Sequence, residues 1–195
     1  MKMSPLALAA LLASSTCAPA SADATGARIV AAARAQLGTS YTQDYFSLKY
    51  PGGDPPRDRG ACTDVVVRAL RSVGYDLQKL IHEDMKRNFH LYPRRWKLKR
   101  TDKNIDHRRV ANQHVYFKRF ARVLATGAGA STWRAWQAGD IVQWRLPGNL
   151  DHIGIVSNRK SAAGRPLVIH NLGGCVEEDA LSAWPIVAHF RFPRR

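Results

Sequence analysis

The stretch Gly60-Ala61-Cys62-Thr63-Asp64, with the apolar run behind it, sets the tightest limit on how this chain folds. Val65, Val66, Ala69, Leu70 and Val73 recur at steps of three and four, which puts them on one face of a helix. Gly74 stands where such a helix stops, because glycine accepts the left-handed cap conformation. A small-residue turn therefore delivers a cysteine to the head of a helix anchored along one buried face. The unpaired N–H groups and partial positive charge at a helix N-terminus favour the thiolate. A free thiol titrates at about 8.5, and thiols so placed fall to roughly 3.5–7.5. The other roles for such a residue are a small buried side chain or half of a disulfide.

The N-terminus belongs to a different kind of segment. Met1-Lys2-Met3 is a short charged lead, Pro5 to Ala13 is apolar, and Ala20-Ser21-Ala22 is a small-x-small cleavage site. This pattern predicts a cleavable signal peptide over 1–22, followed by a single exported domain over 23–195. The apolar run is too short to span a bilayer, and no later stretch is long and apolar enough. Cys17 raises lipid attachment, but Ser14-Ser15-Thr16 is a poor approach to such a site. Cleavage leaves Cys62 and Cys175. An even count in an oxidising compartment invites a disulfide, which would block any thiol chemistry, although one bridge is a sparse framework for a domain of this size.

A formal charge of +15 predicts attraction to anionic partners: cell-wall polymers, lipid headgroups, acidic peptides or nucleic acid. Residues 86–109 concentrate it, with ten Lys or Arg against Asp102 and Asp106 and with Phe89, Tyr92 and Trp96 interleaved. Such a mix can stack bases and track phosphates. A solvated surface insertion is the preferred reading, and nucleic acid is not expected. Within the run, Asn104-Ile105-Asp106-His107-Arg108-Arg109 is polar and dense enough to line a cleft. No metal or cofactor is expected. His82-Glu83-Asp84-Met85-Lys86 lacks the second histidine of a helical zinc motif, no cysteine pair has zinc spacing, and there is neither a phosphate-binding glycine loop nor a Gly-x-Ser-x-Gly elbow.

Around the cysteine helix the periodicity predicts helices over about 25–37, 77–85 with Asp76 as N-cap, and 110–121. Residues 39–59 read as a loop. Strands are expected over 140–144, 153–156, 167–170 and 186–192, separated by turn residues. Helices first and strands later indicate an α+β domain with an antiparallel sheet, carrying a basic insertion at about 75–135.

A thiol attacking an acyl carbon needs a base, a group to orient that base, and donors for the oxyanion. His152 opens the apolar strand His152-Ile153-Gly154-Ile155-Val156, and Gly154 lets a neighbouring backbone approach closely. His170, followed by Asn171, closes the next strand. If these strands form a hairpin across 158–166, the two histidines become neighbours, and the second can hold the first in its working tautomer.

Cys62 at a helix head, Gly139-Asp140-Ile141-Val142, the HIGIV strand and a strand ending in His170 together resemble the NlpC-type branch of the papain-like cysteine peptidases. Within it, Gly60 to Val67, Asn104 to Val110 and Ile169-His170-Asn171 are similar to a bacterial exported family listed as a domain of unknown function. The likeness covers roughly 28–193. It implies a papain-like α+β fold and hydrolysis of amide bonds in peptidoglycan stem peptides. By the same resemblance Cys62 is the nucleophile, His152 the base and His170 the orienting residue, with Asn171 the alternative third member. The implied oxyanion hole uses the Cys62 N–H and a side chain from the preceding loop, Tyr41, with Gln43, Tyr45 and Tyr50 as alternatives. Asp64, Asp106, His107 and Arg108 are the expected contributors to substrate binding. The family's usual Asp-Cys-Ser-Gly is here Ala61-Cys62-Thr63-Asp64.

Overall fold

The apolar face read from the sequence seats the cysteine helix at the centre of the protein. In the computed structural model, which describes residues 22–194, helix α2 (Cys62–Arg71) buries Val65, Val66, Ala69 and Leu70 to 1% exposure or less. Helix α1 (Ala22–Arg34) packs against it through Ile29, Val30 and Ala33. The signal-peptide segment lies outside the described residues, apart from Ala22 at the start of α1.

Between these helices, Ser40–Tyr41 (β1) and Arg59–Gly60 (β2) form a short parallel pair that the sequence did not announce. Helix α3 (Leu77–Arg87) starts at Asp76, whose side chain accepts the Gln78 N–H at 3.1 Å, as expected of an N-cap. Helix α4 spans Val110–Phe120. The 75–135 segment thus holds two α-helices, short 3₁₀ turns and the strand β3 (Arg122–Leu124).

The remaining strands are β4 (Ile141–Leu146), β5 (Leu150–Lys160), β6 (Pro166–Asn171), β7 (Cys175–Glu178) and β8 (Ile186–Arg191). With β3 they make one antiparallel sheet in the order β3-β8-β4-β5-β6-β7. This is the α+β architecture expected, helices first and antiparallel strands later. Strands β3 and β7 were not expected. Each is short, and Cys-Val-Glu-Glu in β7 lacks the apolar alternation that marks a strand.

Alternation along the strands divides the core in two. Ile141, Ile153, Ile155, Ile169 and Phe190 join the core beneath the helices. Val142, Trp144, Val156 and Val168 face the other way and pack with Trp136 and Leu181. His152 and His170 lie on this second face, their rings beside Trp144 and Trp184.

Candidate active site

Three local devices fix the head of α2. Ala61 is its N-cap residue in extended conformation, and its N–H donates to the Asp64 side chain at 2.7 Å. Asn171 donates to the Gly60 carbonyl at 3.0 Å, which ties the approach to Cys62 to the end of β6. Asp64 also accepts two parallel hydrogen bonds from Arg108, Nε to Oδ1 at 2.9 Å and Nη2 to Oδ2 at 3.0 Å, with both side chains 1% exposed. That fork-to-fork geometry is strong as well as directional.

Cys62 therefore sits on a rigid platform and is itself 5% exposed. The backbone N–H groups of Ile153, Thr63 and Cys62 face its sulfur and favour the thiolate. Burial outweighs them: it pushes the thiol up to about 12, with the Asp64 carboxylate adding to the rise. The depressed thiol expected from the helix terminus is thus overturned. The helix-end field is present, but desolvation of the anion is the larger effect.

Ile153 is the residue after His152, so the sulfur lies against the strand that carries the candidate base. The β5–β6 ladder starts at Ile155↔Ile169, whereas Leu150 to Ile155 all pair with β4. At its start β5 is thus held on the β4 side. Cys62 approaches from the helix face there, while His152 and His170 occupy the opposite face. Among the described residues no hydrogen bond joins the sulfur to His152.

The two histidines do meet. His152 Nε2 lies 3.0 Å from His170 Nδ1, as the hairpin argument expected. Gly154 permits this. A Cβ there would stand 2.8 Å from Val168 Cγ1 and 3.1 Å from His170 Cβ, so any side chain would force β6 away. The far nitrogen of His170, Nε2, lies 3.0 Å from Glu178 Oε1 on β7.

This chain of contacts fixes the tautomers. A carboxylate only accepts, so His170 carries its proton on Nε2 and presents a bare Nδ1. His152 must then donate from Nε2, which leaves its Nδ1 as the lone-pair nitrogen. Burial, with a smaller contribution from neighbouring His170, pulls His152 down to about 3. Burial also lowers His170, against the opposing pull of Glu178. At rest the thiol and both imidazoles are neutral. Sequence reasoning missed Glu178, an exposed acid on an unrecognised strand.

Cys62 opens onto a cavity of about 510 Å³ whose lining includes Tyr41, Gln43, Arg108, Arg109, Leu150 and Asp151. Tyr41 is half-buried and its hydroxyl accepts a hydrogen bond from Gln43 Nε2, which leaves the phenolic proton free to donate elsewhere. Tyr45 is engaged with Asp102 and Asn104, and Tyr50 packs edge-on against His82, so Tyr41 and Gln43 are the loop residues at the cysteine.

A family model described as a domain of unknown function (DUF1287) matches residues 29–192. The chain belongs to this family. A curated relative, titled "Uncharacterized protein YijF", from Escherichia coli (strain K12), is 52% identical over 171 residues, covering 86% of this chain and 82% of that protein. Among solved structures, NlpC2 from Trichomonas vaginalis aligns over 86% of this chain at 15% identity with a TM-score of 0.49. The chain spans 46% of that protein's length.

The other candidate residues of this DUF1287 chain face inward. Asp106 is fully buried, accepts the Asp102 N–H, and is pushed up to about 6 by burial. His107 is 1% exposed, and burial, helped by Arg108, pulls it down to about 3. The carbonyls of Asp106, His107 and Arg108 accept hydrogen bonds from Asn112, Gln113 and Thr63 at 3.0, 2.8 and 3.1 Å. Asp106 and His107 thus brace the back of α2, and of the four residues expected to contribute to substrate binding, Asp64, Asp106, His107 and Arg108, only Arg108 lines the cavity. Asn171 spends its amide on backbone carbonyls, whereas His170 holds the position beside His152.

Among the described residues Cys62 and Cys175 are both free, so the bridge between them is not realised. Phe89 packs against the core, and Tyr92 is 3% exposed with its hydroxyl on Asp84 at 2.6 Å, so these two aromatics do not form a base-stacking row. Among the described residues no helix is long and apolar enough to cross a membrane, and no group of three or more His, Cys, Asp or Glu is placed to hold a metal ion.

Proposed function

We propose that this chain is an exported, papain-like cysteine hydrolase of the NlpC type that cuts amide bonds in peptidoglycan stem peptides. The observation that carries the reading is the hydrogen-bonded series His152–His170–Glu178 on the strands beside a helix-head thiol. The series leaves Nδ1 of His152 as the lone-pair nitrogen, on the strand whose Ile153 N–H faces the sulfur.

In this reading Cys62 Sγ attacks the amide carbon while His152 Nδ1 takes the thiol proton. Neither group is charged at rest, so proton transfer accompanies attack rather than preceding it. Resting enzymes often hold this contact more loosely than the substrate complex does. The oxyanion is received by the Cys62 backbone N–H and the Tyr41 hydroxyl. His152 then protonates the departing amine, leaving a thioester on Cys62. Water hydrolyses the thioester with His152 again as base, which restores the thiol and releases the acid.

The test is digestion of purified peptidoglycan by the mature protein and by Cys62→Ala, with the released fragments analysed. Release by the first and none by the second is the expected result, and equal release by both would end the assignment of Cys62. A non-catalytic basic module for anionic wall polymer is the other reading, motivated by the Lys and Arg of 86–109. In that case binding would survive loss of Cys62 and weaken steeply with salt.

A further inference from the structure

The basic insertion supplies Arg95, Arg108 and Arg109 to the cleft. Beside the cysteine cavity lies a smaller one, of about 160 Å³, lined by His114, Gln143, Arg145 and Val187 among others. Arg95, Ala111 and Asp151 line both cavities, so the two form one cleft that leads away from Cys62. Its described lining contains four guanidinium groups, Arg95, Arg108, Arg109 and Arg145, and a single carboxylate, Asp151.

The partners of these groups differ in how firmly they are held. Arg108 is locked to buried Asp64. Arg109 lies 3.4 Å from buried Asp106. Asp151 is shared: Arg145 Nη1 approaches one oxygen at 2.9 Å and Arg95 Nη1 the other at 3.2 Å. Arg95 is the most exposed of the set, with 54% of its side chain open to solvent. The pair is open to solvent on the Arg95 side, whereas the Asp151 side chain is 12% exposed. Arg95 can therefore turn to another carboxylate in the cleft, while Asp151 keeps its ion pair with Arg145.

We infer that Arg95 is an anion-reading residue that selects substrates bearing a free carboxylate near the bond presented to Cys62. The inference rests on the proposed reaction and names its substrate class, an acidic peptide. A carboxylate is favoured over a phosphate because a carboxylate is what Arg95 already grips, and a planar guanidinium matches it. Asp151 directly precedes His152, so this contact lies one residue from the proposed base. The +15 charge of the chain draws such substrates towards the surface before they dock.

The test reads binding, not turnover, so it stands or falls separately from catalysis. Cys62→Ala protein is titrated by NMR with acetyl-Ala-Glu-Ala amide and with its Gln counterpart. The Glu peptide should bind tighter by roughly tenfold, the range of one charge-assisted hydrogen bond. Adding Arg95→Gln should erase the difference. Adding Lys118→Gln, an equal charge change at an exposed site on α4, should leave it intact. Equal binding of the two peptides would overturn the inference, as would equal losses with Arg95→Gln and Lys118→Gln. Tighter binding of a polyphosphate chain than of the Glu peptide, lost with Arg95→Gln, would also overturn it and assign the site to phosphate polymers.

Discussion

His170 Nε2 lies 3.0 Å from Glu178 Oε1, and this contact sets the tautomers of both His170 and His152. With the carboxylate in place His170 accepts from His152. Without it His170 can flip tautomer and compete to donate. Glu178→Ala should lower kcat/KM by on the order of tenfold or more, whereas Glu178→Gln, which keeps an acceptor, should lose less. Imidazole ¹⁵N shifts provide the discriminating readout. His152 should carry its proton on Nε2 in the parent protein and a mixture of tautomers in Glu178→Ala. Unchanged tautomers would reduce Glu178 to a surface residue.

The resting thiol should be sluggish. Burial pushes Cys62 up to about 12, so its alkylation by iodoacetamide should be slow at neutral pH and rise through the alkaline range. Fast alkylation below pH 7 would show that the sulfur is already ionised and that proton transfer precedes attack.

The β5–β6 approach should tolerate no side chain at 154. Gly154→Ala places a methyl 2.8 Å from Val168 Cγ1 and 3.0 Å from the Ile169 carbonyl. Overpacking of this kind typically costs about 1–3 kcal/mol. Because β6 carries His170, activity should fall further than the loss of stability explains, as paired denaturation and rate measurements would show.

His107 should weaken the fold in acid. Its two ring nitrogens are buried with no partner among the described residues, and burial holds its folded value down to about 3 against an ordinary 6.5. The unfolded chain binds this proton as pH falls below about 6.5 and the folded chain does not until about 3. Stability from this group is therefore complete above 6.5 and is lost progressively across that window. His107→Phe should flatten the slope of urea midpoint against pH between 6.5 and 3, and should cost little at neutral pH because no hydrogen bond is lost.

The sequence disclosed what periodicity and turn chemistry control. Val65 to Leu70 identify the cysteine helix, Asp76 caps α3, and the spacing of the two β5–β6 histidines is enough to pair them. It did not disclose depth. The helix-end argument for Cys62 was sound about the local field and silent about desolvation, which proved larger. Asp106 and His107 resemble cleft residues because charge density is visible in a sequence, whereas the direction of a side chain is not. Glu178 and Arg95 came from further out still. One sits on a strand too short and polar to recognise, and the other is one arginine among many, distinguished only by its reach to Asp151.

The account stands on one sulfur and one imidazole working as a pair. Mass spectrometry of the mature protein quenched during reaction with a stem peptide tests this directly. An acyl adduct on Cys62 that disappears in His152→Ala, with His152→Ala still folded by circular dichroism, is the predicted result. An adduct on Cys175, or one on Cys62 that forms as readily without His152, would contradict the account.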